Sequence, residues 1–194
     1  MLHTLSALAF SVLVGCERAP QPVVVVGFDG LDRTLLERMV EDGELPHFGR
    51  LIEEGSLNDM ALTRPIRSPI LWTSMATGYR EQEHGIGGWS TASGALFDAS
   101  KVRSLRLWDA ATRHGRSSLV VGWLVTWPAS PIEGQMVTDR FAWTPPMDRN
   151  PHGEGLPGGT SSSRGLTYPS SLVDEAATWR PDQEWVTSHV LADQ

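Results

Sequence analysis

The chain has 194 residues, 40% hydrophobic and 20% charged, with 16 basic against 23 acidic residues and a formal net charge of −7. That is length enough for one domain with a sizeable core, and a composition outside the disordered and coiled-coil classes. Lys101 is the only lysine, and the arginines are scattered without runs or aromatic interleaving, which excludes the footprint of a nucleic-acid-binding protein.

Residues 1–15 form a short apolar run ending in small residues, too short to span a bilayer and read as an export segment. A lone cysteine makes no internal disulfide, but its place is informative. Leu13-Val14-Gly15-Cys16 resembles the bacterial lipobox, in which cleavage leaves the cysteine first and its thiol receives a diacylglycerol. Residues 1–15 are therefore expected to be a lipoprotein signal peptide, 16–22 a tether, and 23–194 the folded part. Cys16 is the expected lipidation site, and acyl chains on it would hold an exported protein to a membrane, in the periplasm or at the cell surface. The run lacks the Lys or Arg that usually opens such a signal; a plain signal peptide or an N-terminal helix with an incidental thiol are the other readings.

Val23–Val26 is a continuous β-branched run, the pattern of a strand buried on both faces of a parallel sheet. Asp32, a good N-cap, and Gly43, a good stop, predict a helix with Leu35, Leu36, Met39 and Val40 as its apolar stripe. Pro46 and Gly55 bracket a second, with Phe48, Leu51 and Ile52 facing inward. A third is predicted from Ile70 to Thr77, stopped by Gly78, and a fourth from about Ser104 to His114, stopped by Gly115. Ser118–Val121 reads as another buried strand and Met136–Val137 as a weaker one. Residues 144–168 are rich in Gly, Pro and Ser and read as a long loop, and residues 168–179 as a last helix. Strand–helix alternation predicts an α/β domain.

Two residues carry candidate chemistry. Asp29 follows the first predicted strand between glycines, and in open α/β sheets ligands bind beyond the carboxyl ends of strands. It can bind a cation, or simply cap the next helix. Ser68 precedes Pro69 and a predicted helix, so its ordinary role is N-cap. The same place sets its hydroxyl at the positive end of a helix, where phosphate oxygens bind. Serine is a weak nucleophile without a base or a metal, and no Gly-x-Ser-x-Gly elbow is present. Metal activation, with Asp29 as one ligand, is the economical idea.

At these residues a resemblance becomes specific. Val24-Val25-Val26-Gly27-Phe28-Asp29-Gly30, Gly43-Glu44-Leu45-Pro46, Arg50-Leu51 through Gly55, Ser68-Pro69 through Thr77-Gly78, and His84-Gly85-Ile86 follow in order at spacing similar to the type I phosphodiesterase/nucleotide pyrophosphatase family of the alkaline phosphatase superfamily. Thr126-Trp127-Pro128 and Gly134 through Asp139 look like its continuation. The resemblance implies an α/β fold, alkaline-phosphatase-like, with a mostly parallel sheet flanked by helices and incomplete at the C-terminus. It implies two divalent metal ions, zinc in most members, about 4 Å apart. Asp29 matches a metal-ligand aspartate; Ser68 matches the nucleophile, which also touches a metal. The implied reaction is in-line attack by Ser68 on a small-molecule phosphate ester, then hydrolysis of the phospho-serine. His84 matches an element read as structural.

The later Asp/His motifs of the family, an Asp-His-Gly among them, are missing from this chain. Asp148 and His152 have a ligand-like spacing, but their Gly/Pro-rich setting argues against that role. His47 and His114 read as helix-surface residues. Asp29 and Ser68 supply two ligands at most, where zinc takes three or four. The expectation is a truncated site, inactive alone. The alternatives are a non-catalytic lipid-anchored binding protein on the same fold, or a sulfatase or phosphotransferase of the same superfamily. Ser68-Pro69-Ile70-Leu71-Trp72 lacks the sulfatase pattern Cys/Ser-x-Pro-x-Arg.

Overall fold

The computed structural model describes residues 21–62, 64, 66–142 and 165–179. The chain forms two compact units, one ending at Leu57 and the other starting at Asn58. Among the described residues no helix is long and apolar enough to cross a membrane.

In the first unit, α1 spans Arg33–Glu41 and α2 spans Pro46–Glu54. Both boundaries follow from local chemistry. The Asp32 carboxylate accepts the Leu35 N–H at 2.8 Å and so satisfies a donor that the helix leaves orphaned. At the other end Gly43, at φ 77°, donates to the Val40 carbonyl while Glu44 donates to Met39. That pair of bonds is a Schellman stop, which needs the left-handed conformation glycine adopts without strain. Of the predicted stripe Leu36 is buried and Met39 and Val40 half-buried, whereas Leu35 is exposed. On α2, Phe48 and Ile52 are half-buried but Leu51 is exposed, contrary to expectation. The Phe48 ring packs on Phe28, centroids 5.7 Å apart.

The expected first strand is not formed: Val23–Val26 has no regular secondary structure and lies 59–87% exposed. A β-branched run becomes a buried strand only where ladder partners and covering layers exist.

The second unit holds α3 (Ser68–Thr77), α4 (Glu81–His84), α5 (Leu107–Arg113), β1 (Ser118–Val121), β2 (Gly134–Val137), β3 (Thr167–Tyr168) and α6 (Val173–Ala177). The sheet order is β1-β2-β3. β1 and β2 are parallel, Ser118 opposite Gly134 and Val121 opposite Val137; β2 and β3 are antiparallel, Val137 opposite Thr167. The fold is mixed α/β, consistent with an alkaline-phosphatase-like arrangement, but the described sheet is small, and only one of its two pairings is parallel.

β2 is the strand that organises this unit. Met136 faces one apolar cluster with Ala76, Trp108, Val120 and Ile132. Val137 faces another with Phe141, Leu166, Leu172 and Ala176. Successive side chains of a strand point to opposite faces, so β2 is covered on both, and each full burial contributes about 1.5–3 kcal/mol. β1 departs from the expected two-sided burial: Val120 is buried, while Leu119 and Val121 are 63% and 56% exposed. It is an edge strand with one covered face. The expected last helix is shorter than predicted, because Thr167 and Tyr168 pair with β2 and a 3₁₀ turn at Ser170–Leu172 intervenes before α6.

Candidate functional site

Ser68 is half-buried and is the first residue of α3, not its N-cap. Arg67 takes the capping place in extended conformation, and its carbonyl accepts the N–H groups of Ile70 and Leu71 at 3.0 and 3.1 Å. Pro69 sits in the first turn, where a missing N–H costs nothing and a fixed φ suits the helix. Pro69, Ile70, Thr73 and Ala76 face the interior, and the Thr73 hydroxyl donates back to the Pro69 carbonyl at 2.7 Å. Gly78, in the left-handed conformation, ends the helix. Ser68 thus has a fixed backbone at a helix mouth.

A small crevice opens beside this point, lined by Pro69, Gly88, Trp89, Phe97, Val125 and Arg140, with Asp139. Its floor is strained. Val125 has φ 65°, rare for a β-branched residue, and is buried. Asp139 holds the strain in place. Its carboxylate accepts the N–H groups of Val125, Thr126 and Trp127 at 3.0–3.2 Å, and the Thr126 hydroxyl at 3.2 Å. Burial raises the Asp139 pKa, against the opposing pull of those N–H groups and of Arg140. The Arg140 guanidinium lies over the Trp127 ring, 3.9 Å from its centroid, a stacked arrangement worth about 0.5–2 kcal/mol. In the sequence Asp139 closes the Gly134–Asp139 segment with no mark of this role. A short carboxylate just past a strand, twelve to fourteen residues after an irregular turn, carries no local signature.

His84 ends α4 and is completely buried. The Ile86 N–H donates to its Nδ1 at 3.1 Å, so Nδ1 carries no proton. The proton is then on Nε2, which donates to the Ser74 hydroxyl at 3.1 Å. Burial lowers its pKa, with Glu81 and Glu83 pulling the other way. Both ring nitrogens are engaged within the protein. On the far side of α3, Trp72 meets Trp123 edge-on at 4.9 Å, and the Trp123 Nε1–H donates to the Trp72 carbonyl.

Asp29 belongs to the first unit, where it is exposed in a turn beside Gly30 at φ 72°. Ser68 belongs to the second. His47 is exposed on α2, as expected, whereas His114 is exposed at the C-cap that follows α5. Cys16, Asp148 and His152 lie outside the described residues. Among the described residues no group of three or more His, Cys, Asp or Glu side chains could hold a metal ion. Asp29 and Ser68 therefore do not by themselves fit a metal centre, since zinc requires three or four donors.

The family model for type I phosphodiesterase / nucleotide pyrophosphatase matches residues 23–186. No curated protein and no solved structure matches the chain.

Proposed function

The chain belongs to the type I phosphodiesterase / nucleotide pyrophosphatase family, and from that premise we propose that it is a hydrolase of small-molecule phosphoric esters with Ser68 as its nucleophile. The family suggests cleavage of phosphodiester or pyrophosphate bonds. The observation that carries the assignment of Ser68 is its place as first residue of α3, beside the crevice that starts at Pro69. The positive end of a helix favours the charge of a phosphate. In the proposed reaction the Ser68 oxygen forms a bond to phosphorus while the bond to the leaving alcohol breaks, and that alcohol carries away a proton. Water then attacks the phosphoryl-serine and releases the Ser68 oxygen.

Members of the family generally depend on divalent metal ions. The described donors do not complete a metal site, so no step is assigned to a metal. We extend the proposal accordingly: the 194-residue chain alone binds zinc weakly and turns over little, and Asp29 becomes a ligand only with further donors. Export and anchoring through Cys16 belong to the same proposal, carried by the lipobox-like Leu13–Cys16 sequence. The incomplete donor set also favours a second reading, a non-catalytic lipid-anchored binding protein on this fold.

The test is Ser68→Ala in the full-length, zinc-supplied protein, assayed with bis(4-nitrophenyl) phosphate. Hydrolysis should be lost with the melting temperature unchanged. Turnover near wild type would remove Ser68 from the mechanism, and an inert wild-type protein would favour the binding reading.

A further inference from the structure

We propose that His84 is a positioning residue for Ser68: its neutral ring ties the middle of α3 to the turn that packs against the start of the same helix. The inference rests on the reading of Ser68 as nucleophile. An apolar side chain could fill the site of a fully buried residue without asking for partners, whereas a histidine there must satisfy two nitrogens. Both are satisfied, and by different elements. Nε2 donates to Ser74 in mid-α3, and Nδ1 accepts from Ile86, two residues beyond α4.

The chain then returns to the helix mouth. Ile86 is fully buried, which fixes the path of the following residues. Gly88 lies against the Arg67 side chain so closely that a Cβ on it would stand 2.9 Å from Nη1. Trp89, next in line, and Gly88 line the crevice together with Pro69. One imidazole therefore braces α3 at its middle and, through Ile86 to Gly88, at the residue preceding Ser68. A nucleophile displaced by about 1 Å can cost on the order of a hundredfold in rate, so such a brace matters to function. The charged groups around the ring are Glu81 and Glu83 on its own helix and Arg103, whose N–H donates to the His84 carbonyl and whose side chain covers Gly85. α3 contributes Ser74 and no charged residue.

The test starts on the 194-residue chain with ¹⁵N-labelled histidine. Long-range ¹H–¹⁵N correlation should show His84 as the Nε2–H tautomer at neutral pH. Amide exchange at Ile70 and Leu71 should rise roughly fivefold or more in Ser74→Ala and in His84→Asn, and Ser74→Ala adds nothing in the His84→Asn background. Ser74→Ala keeps the ring in place should His84→Asn fail to fold. In the full-length protein the same variants should lower kcat on bis(4-nitrophenyl) phosphate about tenfold with KM within about twofold. His84→Gln, which can still donate to Ser74, should recover part of the loss. An Nδ1–H tautomer, or wild-type exchange in both variants, overturns the positioning role whatever Ser68 does. Unchanged turnover in Ser68→Ala with the His84 results intact overturns the nucleophile reading alone.

Discussion

The Nε2 of His84 and the hydroxyl of Ser74 stand 3.1 Å apart across ten residues of chain, joining α4 to the helix that begins with Ser68. The Nε2–H can donate to Ser74 in either charge state, but the bond that Nδ1 accepts from the Ile86 N–H exists only while the ring is neutral. A second proton would place two donors face to face.

This gives a pH dependence with a definite sign. Burial lowers the His84 pKa in the folded protein below its ordinary 6.5. The unfolded chain then binds more protons in the window between the two values. His84 therefore contributes stability in full above pH 6.5, and the contribution is lost as pH falls through the lower folded value. Asp139 acts in the opposite sense: its raised carboxyl pKa contributes stability below 3.8 that is lost as pH rises through the folded value. Comparison with His84→Asn isolates the histidine, because Asp139 is common to both proteins. Urea denaturation should show the wild type losing more stability on acidification below neutrality than the variant; equal losses contradict the assignment.

Asp139→Ala should be costly. It strands the N–H groups of Val125, Thr126 and Trp127 in a turn whose Val125 conformation is strained. Unsatisfied buried donors cost about 1–3 kcal/mol each, so a loss of roughly 3 kcal/mol or more is expected in urea denaturation. A change under about 1 kcal/mol would mean that the turn is held by other contacts.

Gly134→Ala tests the sheet. At φ 117° this residue pairs with Ser118, and a Cβ would run into the Ser118 carbonyl oxygen and stand 2.8 Å from its nitrogen. Backbone cannot swing aside as a side chain can, so β1 and β2 must separate. The expected outcome is a loss on the order of 3 kcal/mol or more, or failure to fold. Circular dichroism with thermal melting reads it, and an unperturbed melt contradicts the parallel pairing.

Titration of the purified 194-residue chain with zinc tests the proposed weak binding: Asp29 and Ser68 alone supply fewer donors than the three or four zinc takes, so no tight site should appear. A stoichiometric, tightly held ion would show ligands in place beyond Asp29 and Ser68.

Much of this was legible in the sequence, for identifiable reasons. Helix ends were readable because caps are local chemistry: Asp32 and Gly43 bracket α1, and Gly78 closes α3. Ser118–Val121 is legible as a strand, but its one-sided cover is not, because burial depends on layers that sequence does not display. Val23–Val26 shows the same limit more strongly: its composition suits a central strand, yet strandedness belongs to the ladder rather than the segment. Ser68 stands out in the sequence for its place before Pro69, but that Arg67 takes the cap is visible only in the backbone. The roles of His84 and Asp139 depend on contacts with Ser74 and with the Val125–Trp127 turn. Their spacing follows no helix or strand period, so no pattern could announce them.

The most direct measurement is an acid quench of the zinc-supplied protein during turnover of bis(4-nitrophenyl) phosphate, followed by mass spectrometry of the peptide that contains Ser68. A phosphoryl ester on Ser68 is predicted. Continued turnover with that serine unmodified, or with the ester on another residue, would contradict it.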